Sequence, residues 1–70
     1  MEGNAFFAKR QYRRAIKKYS MSILLDGSIA AYFGNRSACH LALEEAKNAL
    51  SDAEKSVEID PSYVKVRHNR

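Results

Sequence analysis

Apolar and small residues recur along this chain at steps of three and four. Tyr12, Ala15, Ile16, Tyr19, Ser22 and Ile23 fall at that spacing and predict one face of an amphipathic helix. Residues 2–9, with Ala5, Phe6 and Phe7 as apolar content, read as the remainder of a preceding helix. Asp26-Gly27-Ser28 predicts a stop, with a cap for the helix that follows. The pattern predicts a third helix over 29–42, carrying Tyr32, Phe33, Arg36, Ser37 and His40. A fourth is predicted over 44–59, with Ala46, Ala49, Leu50, Ala53 and Val57 turned inward. Asp60-Pro61-Ser62 ends it, because proline cannot donate a backbone hydrogen bond and pushes its predecessor out of the helical region. Residues 64–70 then begin a fifth. The expected fold is all-α.

The pattern also repeats. Shifted by 34 residues, Ala15-Ile16 falls on Ala49-Leu50, Ser22-Ile23 on Ser56-Val57, and Asp26-Gly27 on Asp60-Pro61. That period is the one of tetratricopeptide repeats, which the chain resembles. The resemblance implies antiparallel helix-turn-helix units stacked as a short right-handed solenoid, serving as a binding surface without chemistry of its own. Residues 1–28 would be a partial first repeat, 29–63 a second, and 64–70 the start of a third. Truncated at both ends, the chain reads as a fragment of a longer array, since about three repeats are usually needed for stability. The hairpin turns carry another expectation. Lys9-Arg10-Gln11 and Leu43-Glu44-Glu45 are good helix formers where the chain must reverse. A hairpin could therefore open into one continuous helix and exchange with a second chain, giving self-association.

Gly34-Asn35-Arg36-Ser37-Ala38, Gly3-Asn4 and Tyr63-Val64-Lys65 together resemble the repeats of chaperone-binding tetratricopeptide cochaperones. The first unit of a J-domain cochaperone is the nearest flavour, and a tetratricopeptide-bearing Ser/Thr phosphatase is second. What this implies is an adaptor for the C-terminal peptides of heat-shock chaperones of the seventy- and ninety-kilodalton classes. Asn4, Asn35 and Lys65 would grip the terminal carboxylate of an acidic tail ending in EEVD. Two amides and an ammonium suit that task, because charge-assisted hydrogen bonds are about twice as strong as neutral ones. Phe7, Ala38 and Ala42 would floor the groove for the adjacent side chain. The clamp is partial. The family's lysine four residues ahead of the first Asn would precede Met1, and its arginine four residues after Lys65 stands here as Asn69, a groove position.

Composition narrows the alternatives. With 46% hydrophobic and 29% charged residues, the 70-residue chain has the make-up of a small globular domain, not a disordered segment. A single cysteine, Cys39, excludes an internal disulfide framework and fits a reducing compartment. There is no signal-peptide pattern and no apolar run of membrane-spanning length. A cytoplasmic or nuclear setting is expected, and the sequon Asn35-Arg36-Ser37, inside a helical pattern, is taken as accidental.

Half of the twelve Lys and Arg residues cluster as Lys9, Arg10, Arg13, Arg14, Lys17 and Lys18. Such a run could meet nucleic acid or membrane, but the outer face of a repeat helix is ordinarily polar, so neither partner is expected. No enzyme is expected either. Cys39 and His40 diverge on their helix, and two histidines with one cysteine lack metal-ligand spacing. No cofactor or metal is implied, and His40 is assigned to a helix interface. Glu44-Glu45 read as a solvated helix start, favourable at the positive end of the dipole.

Overall fold

Two turns of the same construction reverse the chain and set its architecture. A computed structural model describes residues 2–62, without the side chains of Glu2 and Asn4. It contains α1 (Glu2–Ala8), α2 (Tyr12–Leu25), α3 (Ala30–Ala42) and α4 (Ala46–Ile59). Each helix packs on its successor, so α2 and α3 are the inner members.

The α1–α2 and α3–α4 turns hinge on Arg10 and Glu44, with φ of 62° and 61°. These two left-handed residues stand one repeat period apart. Behind them, the Gln11 N–H donates to the Phe6 carbonyl and the Glu45 N–H to the His40 carbonyl, both at 2.8 Å. The Arg10 N–H donates to Phe7 and the Glu44 N–H to Leu41, both at 2.9 Å. This paired closure is the Schellman arrangement, usually built on glycine. Residues that favour helix thus adopt the reversal, and the chain closes both hairpins on itself. Because Glu44 is left-handed, α4 starts at Ala46 and not at the Glu44 expected from the pattern.

The other two helix ends match as well. Asp26 and Asp60 leave the helical region, and their N–H groups still donate to the Ser22 and Ser56 carbonyls at 2.9 and 3.0 Å. The Asp26 carboxylate accepts the N–H and hydroxyl of Ser28, at 3.0 and 2.6 Å. Asp60 does the same for Ser62, at 3.0 and 2.7 Å. Ser28 therefore does not cap α3, contrary to the sequence reading. Its hydroxyl is committed backward to Asp26, and Ile29 precedes α3 without a side-chain cap.

Ala15, Tyr19 and Cys39 form the buried centre, with Phe6, Tyr12 and Ile16 packed around it. On α4 the buried residues are Ala49, as expected, with Asp52 and Ser56, while Ala53 and Val57 are half-buried. Ala46 is exposed and Leu50 is 60% exposed. The polar stripe wins because its members bond to α3. Ser37 Oγ donates to the Ala49 carbonyl at 2.7 Å, and Ser56 Oγ to the Ala30 carbonyl at 3.1 Å. Small side chains at these positions let the two backbones come that close, and buried hydroxyls are tolerated once hydrogen-bonded.

Candidate functional site

Helix α3 packs between α2 and α4, which buries Gly34, Asn35, Ser37 and Cys39 along its middle. Asn35, the central residue of the expected carboxylate clamp, lies in this buried middle of α3. Ala38 is half-buried one turn on, while Ala42 is exposed. Phe7 on α1 is partly exposed and stands edge-on to Tyr12, with ring centroids 5.5 Å apart. Asn4 lies on α1 three residues before Phe7. Its side chain, and the whole of Lys65 and Asn69, lie outside the described residues. The fold brings Phe7 and Asn4 onto one helix and Asn35 and Ala38 onto another.

A chain of charged groups, which the sequence reading did not anticipate, ties three helices together. Arg36 of α3 grips Asp52 of α4 with two hydrogen bonds, Nε to Oδ2 and Nη2 to Oδ1, both 2.8 Å. Its remaining nitrogen Nη1 donates to Ser20 Oγ of α2 at 2.9 Å, and its carbon Cζ lies 5.5 Å from the Phe33 ring centroid. His40 Nδ1 is 2.8 Å from Glu45 Oε1, and its Nε2 is 3.6 Å from Asp52 Oδ2. Glu45 also receives the Arg13 guanidinium from the start of α2. Far from being merely solvated, Glu45 is the junction between α2 and the α3–α4 turn. His40 takes the interface role expected of it.

The electrostatics follow from the pairing. Asp52 raises the Arg36 pKa through its hydrogen bonds, against the opposing effect of burial. Glu45 is held below the usual carboxylate range, first by Arg13 and then by His40. These groups satisfy one another and brace α2, α3 and α4 together. One signal for the brace was present in the sequence. Ala49, Asp52 and Ser56 step by three and four, placing a carboxylate on a helix's inward stripe.

Beside the brace, an open groove of about 400 Å³ runs between Phe33 and Arg36 on α3 and Ser51, Glu54, Lys55 and Glu58 on α4. Its charges are mixed in sign, and its arginine is already engaged. Among the described residues, no group of three or more His, Cys, Asp or Glu side chains could hold a metal ion. Nor is any described helix long and apolar enough to cross a membrane.

No protein-family model matches the chain. Among curated proteins, it is 43% identical over 63 residues to small glutamine-rich tetratricopeptide repeat-containing protein 2 of Saccharomyces cerevisiae. With two hairpins whose turns and end caps recur at 34 residues, that similarity decides the family. The chain belongs to the tetratricopeptide repeat family. It is also 41% identical over 69 residues to human serine/threonine-protein phosphatase 5, and 39% identical over 64 residues to Hsp70-Hsp90 organizing protein 3 of Arabidopsis thaliana. These matches cover 90%, 99% and 91% of this chain, but 18%, 14% and 12% of the three relatives. The tetratricopeptide chain thus spans less than a fifth of each relative's length.

Proposed function

We propose that this tetratricopeptide segment is a cochaperone adaptor that takes the acidic C-terminal tail of a heat-shock chaperone, of the type ending in EEVD. The observation that carries the reading is Asn35, a buried amide held at the middle of α3 within Gly34-Asn35-Arg36-Ser37. A relative at 39% identity, whose name states that it organizes Hsp70 and Hsp90, supports the choice of ligand. Asn4 on the first helix of one hairpin and Asn35 on the first helix of the next supply two amides, and Lys65 supplies the charge. Phe7 and Ala38 receive the neighbouring apolar side chain. The segment binds and does no chemistry, and works in the cytoplasm or nucleus.

A titration with an acidic peptide ending in EEVD, beside the same peptide amidated at its terminus, tests the reading. Chemical-shift changes at Asn35 and Lys65 with the free acid alone are expected. Lys65→Ala should weaken binding roughly tenfold, as befits loss of a charge-assisted bond. Equal responses to acid and amide would leave a scaffold that meets partners through helix faces.

A further inference from the structure

The outer face of α2 carries two features that a solvated repeat helix does not need. At about 100° per residue, Arg13, Leu24, Lys17, Met21, Arg14 and Leu25 fall within an arc of roughly 120°. All six are exposed. Leu24 and Leu25 are 87% and 90% exposed, and Met21 is 51% exposed. The basic residues fill the N-terminal half of the arc and the aliphatic ones the C-terminal half. Ile29, just past the α2–α3 turn, adds a fourth partly exposed aliphatic side chain at the same end. Expectation from the sequence was that a polar outer face accounts for the charge run. The structure shows that the face is not simply polar.

We propose that this face of α2 docks on the surface of an anionic lipid bilayer, with the cations on the headgroups and Leu24, Leu25 and Met21 entering the acyl boundary. Three observations favour lipid over other occupants. First, charge is segregated. Helix α2 carries four cations and no carboxylate, and among the described residues Arg14 and Lys17, like Lys9 and Arg10 beside them, have no ion-pair partner. Anionic membranes attract such residues electrostatically. Second, Leu24 and Leu25 are adjacent, so their side chains diverge by about 100°. A groove on a protein partner reads one stripe of a helix, whereas a lipid layer accepts both directions. Third, leucines contribute nothing to a phosphate backbone, which sets nucleic acid below lipid for this face. The neighbouring acid, Asp26, is exposed but turned onto Ser28 by two hydrogen bonds. Docking is peripheral, in keeping with the lengths of the described helices.

The test is co-sedimentation of the full 70-residue chain with vesicles of phosphatidylcholine alone and of phosphatidylcholine with phosphatidylserine. Binding to the anionic vesicles only, falling as salt rises, is expected. The double variant Leu24→Asn, Leu25→Asn should weaken it by at least roughly tenfold. Arg14→Glu with Lys17→Glu should abolish it. Because all four side chains are exposed, each variant should melt as the parent does. The chain has no tryptophan, so Leu25→Trp makes a single reporter whose emission should shift to the blue on anionic vesicles. No binding to anionic vesicles overturns the proposal. So does binding that ignores the leucine changes with no shift in emission, which marks a merely electrostatic surface. Tighter binding to single-stranded RNA than to vesicles, with the same indifference to the leucines, overturns it in favour of nucleic acid.

Discussion

Gly3 and Tyr19 occupy space that a single added carbon would contest. A Cβ at Gly3 would lie 2.6 Å from Cε1 of the Tyr19 ring and under 3 Å from two more of its atoms. Tyr19 is buried to 1% exposure, so the ring has nowhere to go. Intrinsic helix propensity argues the other way, since alanine inside a helix is better than glycine by about 1 kcal/mol. The two effects differ in sign, and the packing term should win. Gly3→Ala is expected to destabilise the fold by about 1–2 kcal/mol, the scale of core overpacking. Urea denaturation decides it, and a variant more stable than the parent would mean that α1 is not seated on Tyr19.

Asp52 and Arg36 give a second test. The side chain of Asp52 is 8% exposed and that of Arg36 22% exposed, so neither charge is well hydrated without the other. Asp52→Ala strands the guanidinium and should cost about 3 kcal/mol. Replacing the pair together, Arg36→Met with Asp52→Leu, removes the stranded charge and should recover much of the loss. Denaturation of the three variants measures this. A double variant no better than Asp52→Ala would show that the pair is not coupled.

Much of this arrangement was legible before the structure, and the reasons for the rest are specific. Helix periodicity placed all four described helices, because Asp26-Gly27 and Asp60-Pro61 stop the chain by mechanisms that read directly from residue type. The 34-residue offset held down to single hydrogen bonds at Asp26 and Asp60. The inward face of α4 departs from the hydrophobic pattern for a different reason. Hydrophobicity ranks Leu50 above Asp52, yet a carboxylate matched to a part-buried arginine is satisfied inside, while Leu50 stays 60% exposed. Likewise Ser28 resembled a cap by composition, but its hydroxyl could serve either neighbour, and only geometry shows that Asp26 takes it. Of the candidate site, the resemblance names Asn35 and Phe7, whereas the Arg36–Asp52–His40–Glu45 brace leaves only the place of Asp52 on the α4 stripe as a local signal, its partners being set by contacts between helices.

Acid should loosen the fold through two carboxylates. The Glu45 pKa lies below its ordinary 4.5, lowered by Arg13 and then by His40. The Asp26 pKa lies below its ordinary 3.8, lowered by the hydroxyl and then the N–H of Ser28. A pKa depressed by folding means that the unfolded chain binds the proton more readily. The stabilisation is therefore complete above the ordinary value and is lost as pH falls through the lowered one. Carboxyl NMR should show Glu45 titrating below 4.5, moving up toward it in Arg13→Ala. Ser28→Ala should likewise return Asp26 toward 3.8. A Glu45 that titrates at its ordinary value in the parent would contradict the brace.

Glu44 links the turn to the state of assembly. At φ 61° it holds a conformation that costs an L-residue about 1–2 kcal/mol relative to the right-handed helix. Glycine avoids that cost but loses more entropy on folding, about 0.5–1 kcal/mol. Glu44→Gly should thus stabilise the closed hairpin by up to about 1 kcal/mol, and Arg10→Gly, at φ 62°, by a similar amount. The same reasoning bears on helix exchange. Joining α3 to α4 through 43–45 as one helix releases the left-handed residue and frees α4 to pack on the α3 of a second chain. A dimer formed in that way should grow with concentration, increase in Glu44→Ala and vanish in Glu44→Gly. Light scattering across a concentration series separates these outcomes from a dimer that docks surface to surface, since the latter would be indifferent to residue 44. Should Glu44→Gly instead lower the melting temperature, the turn would be held by something other than its backbone geometry, and the exchange argument would lose its driving force.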